Sequence, residues 1–193
     1  QFTGKSYVYP DKRFLSICPV VNKPYPNDFR GIVQHEVGGH GFGKLGDEYI
    51  YHNEFIQACT CTCCPHVFEL QRYQALGWFQ NLSLTGKMGD VPWRDFIFHE
   101  KYHTIVDIFE GGYMHTRGVY RSEQNSCMNN EIPYYSTISR YEIVKRIMEY
   151  AGEDFSLEKF VENDVIEAVS TASTKGGYEV GSDSRTATLN SRE

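Results

Sequence analysis

Between residues 34 and 49 the chain reads Gln34-His35-Glu36-Val37-Gly38-Gly39-His40-Gly41-Phe42-Gly43-Lys44-Leu45-Gly46-Asp47-Glu48-Tyr49, and no other stretch limits the fold so tightly. Phe29, Ile32, Val33 and Val37 recur at helical spacing, which predicts a helix capped by Asn27 with Asp28 at its positive end. Five glycines, at 38, 39, 41, 43 and 46, then enter the pattern. Each costs about 1 kcal/mol relative to alanine inside a helix. A helix that carries them must have another use for that backbone.

The polar residues supply the use. Histidine beside glutamate, with a second histidine one turn on, is the set a catalytic zinc requires: neutral imidazoles hold the ion and the carboxylate activates its water. In the common HExxH pattern the histidines are four apart. His35 and His40 are five apart, about 140° around an α-helix. An i→i+5 turn, a π-bulge, absorbs the extra residue, and Gly38 and Gly39 stand where it would fall. Gly43 and Gly46 let the chain swing back, and Asp47 is the first ligand-capable side chain after Lys44. A Zn–O bond of about 2.0–2.2 Å from aspartate is ordinary. Glu48 is the alternative third ligand, facing the other way in an extended segment.

The rest of the chain reads as an α+β domain over residues 1–162, followed by a Ser/Thr/Gly-rich tail, 163–193, expected to be a linker or mobile terminus. Residues 1–26 are Pro-punctuated and extended. Short helices are expected at 47–58 and 67–80, and 83–98 reads as loop and then strand. A helix is expected behind a capping box of Ser139 and Glu142, with Ile138 and Ile143 as its staple. Ile143, Val144, Ile147, Met148 and Ala151 would be its buried stripe and Gly152 its stop. Ser156–Asp164 reads as a further short helix. No apolar run nears the ~18 residues of a membrane span. Twenty-five acidic residues against 19 basic give a net charge of −6 without a basic block, which argues against binding nucleic acid. There is no signal-peptide pattern, so an exported parent would carry its signal upstream.

His99-Glu100-Lys101-Tyr102-His103 is a literal HExxH, but composition alone produces one in roughly one such chain in fifty. Its alternating aromatic and β-branched neighbours suit strands or loops, so it is read as a surface polar cluster. Cys59, Cys61, Cys63 and Cys64, with His66 near, are read as disulfide-forming in an exported protein, with a structural metal site or thiols as alternatives. Cys63 and Cys64 would then need partners such as Cys18 or Cys127. His52 and His115 are read as ordinary surface or core histidines.

HEVGGHGFGKLGDEY, then IVDIFEGGYMHTRGVYRSEQNSCMNN, then STISRYEIVKRIMEY resembles the catalytic region of the IgA-peptidase family of bacterial zinc metallopeptidases, over roughly residues 28–150. The glycine-expanded form is similar to that of members from gut Bacteroides-type bacteria. The resemblance implies a metzincin-like domain, incomplete on its N-terminal side, with zinc ligands His35, His40 and Asp47 and with Glu36 as general base. It also implies a Met-turn at Met128. Tyr120 and Tyr113 are candidates to stabilise an oxyanion, and Glu110 falls in a family-like Glu-Gly-Gly without an assigned role. The implied activity is that of an exported endopeptidase (secreted, surface-bound or periplasmic) in which Glu36 activates a zinc-bound water to cut peptide bonds of protein substrates. The family name points to immunoglobulin as one such substrate. The alternatives are a catalytically silent surface binding module on this scaffold and a zinc hydrolase acting on a non-peptide amide.

Overall fold

A hairpin of β1 (Lys5–Val8) and β2 (Phe14–Ile17) opens the computed structural model, with Ser6 opposite Ser16 and Tyr7 opposite Leu15. The structure describes residues 4–9, 11–24, 28–50, 65–130 and 132–166. The hairpin lies against the glycine-rich helix. Ser6 Oγ donates to the Glu36 carbonyl at 2.7 Å and Ser16 Oγ at 3.2 Å.

α1 (Phe29–Val33) starts at Asp28, whose carboxylate accepts from the Arg30 amide at 3.0 Å. The cap is therefore Asp28 and not Asn27, which lies outside the described residues. The chain then passes directly into a π-helix, Gln34–Phe42, closed by an i→i+5 bond from Gly43 N to Gly38 O at 2.9 Å. The expected single bulge is nine residues of π-helix.

None of Gly38, Gly39, Gly41 and Gly43 has a positive φ. These glycines are needed for close approach. A β-carbon on Gly38 would overlap the Tyr135 hydroxyl, one on Gly39 the Met128 sulfur, and one on Gly41 the Phe14 ring.

α2 (Pro65–Ala75) begins two residues before the helix expected at 67–80 and ends five residues short of it. β3 (Leu82–Ser83), β4 (Phe109–Gly112) and β5 (His115–Arg121) form an antiparallel sheet in the order β3-β5-β4. Leu70, Leu82, Tyr113 and Val119 make a buried cluster between this sheet and α2. The strand expected within 83–98 is instead a loop followed by the short helix α3 (Arg94–Ile97). Residues 47–49 are not helical, and the remainder of the helix expected at 47–58 lies, from residue 51, outside the described residues.

After the short α4 (Cys127–Asn130), α5 (Thr137–Ala151) begins three residues earlier than the capping-box reading required. Ser136 is its N-cap, accepting from the Ser139 amide at 3.3 Å, and Gly152 ends it at φ 71°. The buried face is Ile138, Ser139, Glu142 and Arg146, while Ile147, expected inside, is 48% exposed. Arg146 explains the shift: its guanidinium donates to Gly43 O at 2.9 Å and Gly77 O at 3.0 Å, which satisfies a carbonyl at the π-helix C-terminus. α6 (Leu157–Asn163) follows.

The described structure is thus α+β, with two small antiparallel sheets among helices. The described residues up to Glu162 form one compact unit. The tail expected from 163 lies, from residue 167, outside the described residues. No helix among the described residues is long and apolar enough to cross a membrane.

Candidate metal centre

The i→i+5 ladder turns His35 and His40 to one side. Their Nε2 atoms lie 3.1 Å apart, with the ring planes at 81°. Asp47 Oδ1 completes a triangle, 3.1 Å from His35 Nε2 and 3.0 Å from His40 Nε2. Four bonds of about 2.0–2.1 Å around a tetrahedral ion place their donor atoms about 3.3 Å apart, so the triangle fits three of the four positions. His35, His40 and Asp47 are, among the described residues, a group able to hold a metal ion.

The outer ring nitrogens fix this arrangement. His35 Nδ1 is 2.9 Å from the Cys127 carbonyl, and His40 Nδ1 is 2.7 Å from the Leu45 carbonyl. A carbonyl accepts only, so each Nδ1 carries a proton, and each Nε2 is the nitrogen that can turn a lone pair to the centre when an ion displaces its proton. Without an ion, the electrostatics favour an added proton on these rings. Burial opposes charge on both rings, but Asp47 outweighs it and raises His35 to about 10 and His40 to about 9. Burial likewise opposes charge on Asp47, and the two imidazoles hold its carboxyl well below the usual range. These groups attract a positive charge placed between them.

Glu48 turns away from the triangle. Its carboxylate accepts from Ser126 Oγ at 2.5 Å and Asn81 Nδ2 at 2.9 Å, and it is 1% exposed. Burial pushes its pKa up to about 7 against those hydrogen bonds. Ser126 Oγ also accepts from Met128 N at 3.0 Å, and Glu48 N donates to Met128 O at 2.9 Å. Glu48 therefore clamps Ser126–Met128, the segment whose Cys127 carbonyl orients His35. Met128, with 0% exposure, lies under Gly39.

Glu36 is buried, and its Oε2 has no hydrogen-bond partner. Gly4 crowds it so closely that a β-carbon there would come within 2.7 Å of Oε1. Glu36, the two histidines and Asp47 all line one cleft of about 790 Å³, together with Tyr49, Tyr73 and Tyr113. A buried carboxylate oxygen without a partner, beside a three-donor centre, is placed to exchange a proton with a molecule in the cleft.

Of the two tyrosine candidates, the structure brings Tyr113 to the cleft and not Tyr120, whose hydroxyl is 3.5 Å from Glu110 Oε1 on the sheet. Glu110 Oε1 also accepts from Gly118 N at 3.1 Å, a bond within the hairpin. Tyr113 and Met114 form the β4–β5 turn with φ of 47° and 68°. Non-glycine residues are uncommon there and cost of order 1–3 kcal/mol each. The turn is held by Tyr113 N donating to Asp47 O at 2.8 Å and Met114 N to Tyr49 O at 3.0 Å.

Lys44, the residue after the π-helix C-cap, also has a positive φ, 56°. Its buried ammonium donates to Gly41 O at 2.5 Å and Lys12 O at 3.0 Å. Burial lowers its pKa to about 8.

The HEKYH segment forms turns and no helix. His103 Nδ1 pairs with Glu100 O at 2.8 Å, while His99 Nδ1 accepts from Lys101 N at 3.1 Å. No disulfide joins Cys18 to Cys127. Cys59, Cys61, Cys63, Cys64 and His52 lie outside the described residues. His115 is fully buried, its Nε2 3.0 Å from His66 Nδ1.

Sequence reasoning did not reach the Cys127 and Leu45 carbonyls, because backbone acceptors leave no trace in residue type. Nor did it reach Asn81, Ser126 and Arg146, whose partners lie 33 to 103 residues away. Glu69, the carboxylate 2.9 Å from the Tyr113 hydroxyl, was also missed. Comparison with protein-family models and with curated proteins gives no match.

Proposed function

We propose that this chain is the catalytic part of a zinc-dependent endopeptidase, metzincin-like and of the IgA-peptidase kind, acting outside the cytoplasm on protein substrates. The observation that carries this reading is the convergence of His35, His40 and Asp47 at 3.0–3.1 Å with the partnerless Glu36 carboxylate in the same cleft. Two imidazoles and one carboxylate leave a fourth tetrahedral position open, as catalytic zinc sites do.

Bound there, zinc supplies a Lewis acid that polarises a carbonyl oxygen and acidifies water. The chain's own residues do the rest. Cys127 and Leu45 carbonyls hold the imidazoles in the ligating tautomer, and Asp47 offsets the ion's charge. Glu36 takes the proton of the attacking water and delivers it to the departing amine nitrogen, which keeps that nitrogen from leaving as an anion. Tyr113, fixed by its turn and by the hydroxyl proton it donates to Glu69, lines the cleft where a peptide would lie.

The test is hydrolysis of an unstructured protein substrate by zinc-loaded, chelated and zinc-restored protein, with Glu36→Gln alongside. Loaded protein should cut, and chelation should abolish cutting reversibly. Glu36→Gln should keep its zinc while losing about 10²–10⁴ in rate. Zinc-loaded wild type that leaves every peptide bond intact would overturn the peptidase reading in favour of a binding module or of a hydrolase for other amides.

A further inference from the structure

We propose that Glu69, with the rings of Tyr73, Phe79 and Tyr113, forms a subsite for a positively charged side chain, lysine or arginine, of a bound peptide. The inference rests on the peptidase reading above and names a class of substrate for that site.

Glu69 and Tyr73 stand four apart on α2 and so share a face. Both line the cleft that holds His35, His40 and Asp47. Phe79 packs on Tyr73 with ring centroids 4.7 Å apart and on Tyr113 at 5.9 Å. Three rings thus form a continuous aromatic wall beside one carboxylate. The Tyr113 hydroxyl donates to Glu69 Oε2 at 2.9 Å. A carboxylate has room for about four donors, so this bond orients Glu69 without saturating it.

The hairpin tip is built to keep this wall in place. Tyr113 and Met114 occupy positive-φ turn positions that usually fall to asparagine and glycine. Main-chain bonds to Asp47 and Tyr49 secure them, so the wall is tied to the metal-binding segment itself. An aromatic wall with a carboxylate beside it attracts a cation twice over, through the ring faces and through charge-assisted hydrogen bonds. The carboxylates of Glu36, Asp47 and Glu69 line the cleft, and Lys5 is the one lysine or arginine among its described lining residues. Asp47 is committed to the metal centre and Glu36 to proton transfer, which leaves Glu69 to read the substrate.

The experiment uses three fluorescently labelled peptides of one neutral sequence that differ at a single central position, lysine, norleucine or glutamate. Binding to the zinc-loaded full chain is measured by anisotropy, and cleavage is followed in parallel by mass spectrometry. Wild type should bind the lysine peptide about tenfold more tightly than the norleucine peptide. Glu69→Gln should remove most of that preference, and Glu69→Lys should transfer it to the glutamate peptide. Equal affinity for the three peptides in wild type, or no measurable binding, would overturn the proposal whether or not either variant folds. A lysine preference that Glu69→Gln leaves unchanged would overturn it too. Preferential binding that depends on Glu69, without cleavage of any peptide, would support the subsite and sink the peptidase reading instead.

Discussion

The sulfur of Met128 occupies the space in which a β-carbon on residue 39 would stand. One face of the π-helix is thereby pressed against the segment whose Cys127 carbonyl orients His35. Gly39→Ala should push Met128 aside and destabilise the fold by about 1–3 kcal/mol, the usual cost of overpacking. Denaturant titrations of Gly39→Ala, Met128→Ala and the double variant would check this. The double variant should be more stable than the two single losses summed predict, and additive losses would mean that the two residues do not touch.

Glu36 can be disturbed without being mutated. A methyl group at Gly4 would displace its carboxylate, and a misplacement of about 1 Å can cost on the order of 10² in rate. Gly4→Ala should therefore lower peptide hydrolysis by about 10² with bound zinc unchanged. An equal loss of zinc would show that Gly4 supports the ligands and not the base.

Asp47 and Glu48 are neighbours with different tasks. Asp47→Ala removes a donor of the triangle and should weaken zinc binding by more than about 100-fold. Glu48→Gln leaves all three donors and should stay within the 10- to 100-fold that outer partners command, with lower stability because one acceptor oxygen is left where Ser126 and Asn81 use two. Competition against a chromophoric chelator measures both constants, and the reverse ranking would make Glu48 the ligand.

The metal-free protein should lose stability as pH rises from 6 to 8. His35 and His40 have folded pKa values near 10 and 9, above the unfolded 6.5. Their contribution is complete below pH 6.5 and declines through the folded values. Lys44, lowered to about 8, adds a slope of opposite sign only at higher pH. Zinc takes the place of those protons, so loaded protein should lack this component and bind zinc more tightly at pH 8 than at pH 6. Denaturation with and without chelator at both pH values reads it directly. Parallel pH dependence in the two forms would contradict the triangle.

The register of His35 and His40 was legible in the sequence because five-residue spacing on an α-helix is a conflict with few resolutions. The glycines were legible as necessary, but their reason was not. The reading assigned them to backbone freedom, whereas they make room for Phe14, Met128 and Tyr135, partners that no local pattern reveals. The same limit hid Arg146. A stripe of Ile143, Val144, Ile147, Met148 and Ala151 looks like a buried face until the Gly43 carbonyl, at the π-helix C-cap, is seen to take Arg146. Tyr120 and Tyr113 were indistinguishable in the sequence; only the hairpin register turns Tyr113 to the cleft.

The central claim is that His35, His40 and Asp47 together hold zinc. Zinc-edge X-ray absorption on protein loaded with one equivalent of the metal tests it most directly. The account predicts a shell of nitrogen and oxygen alone at about 2.0–2.1 Å, with the outer-ring scattering of two imidazoles. A sulfur shell at about 2.3 Å would contradict it and place the ion on cysteine.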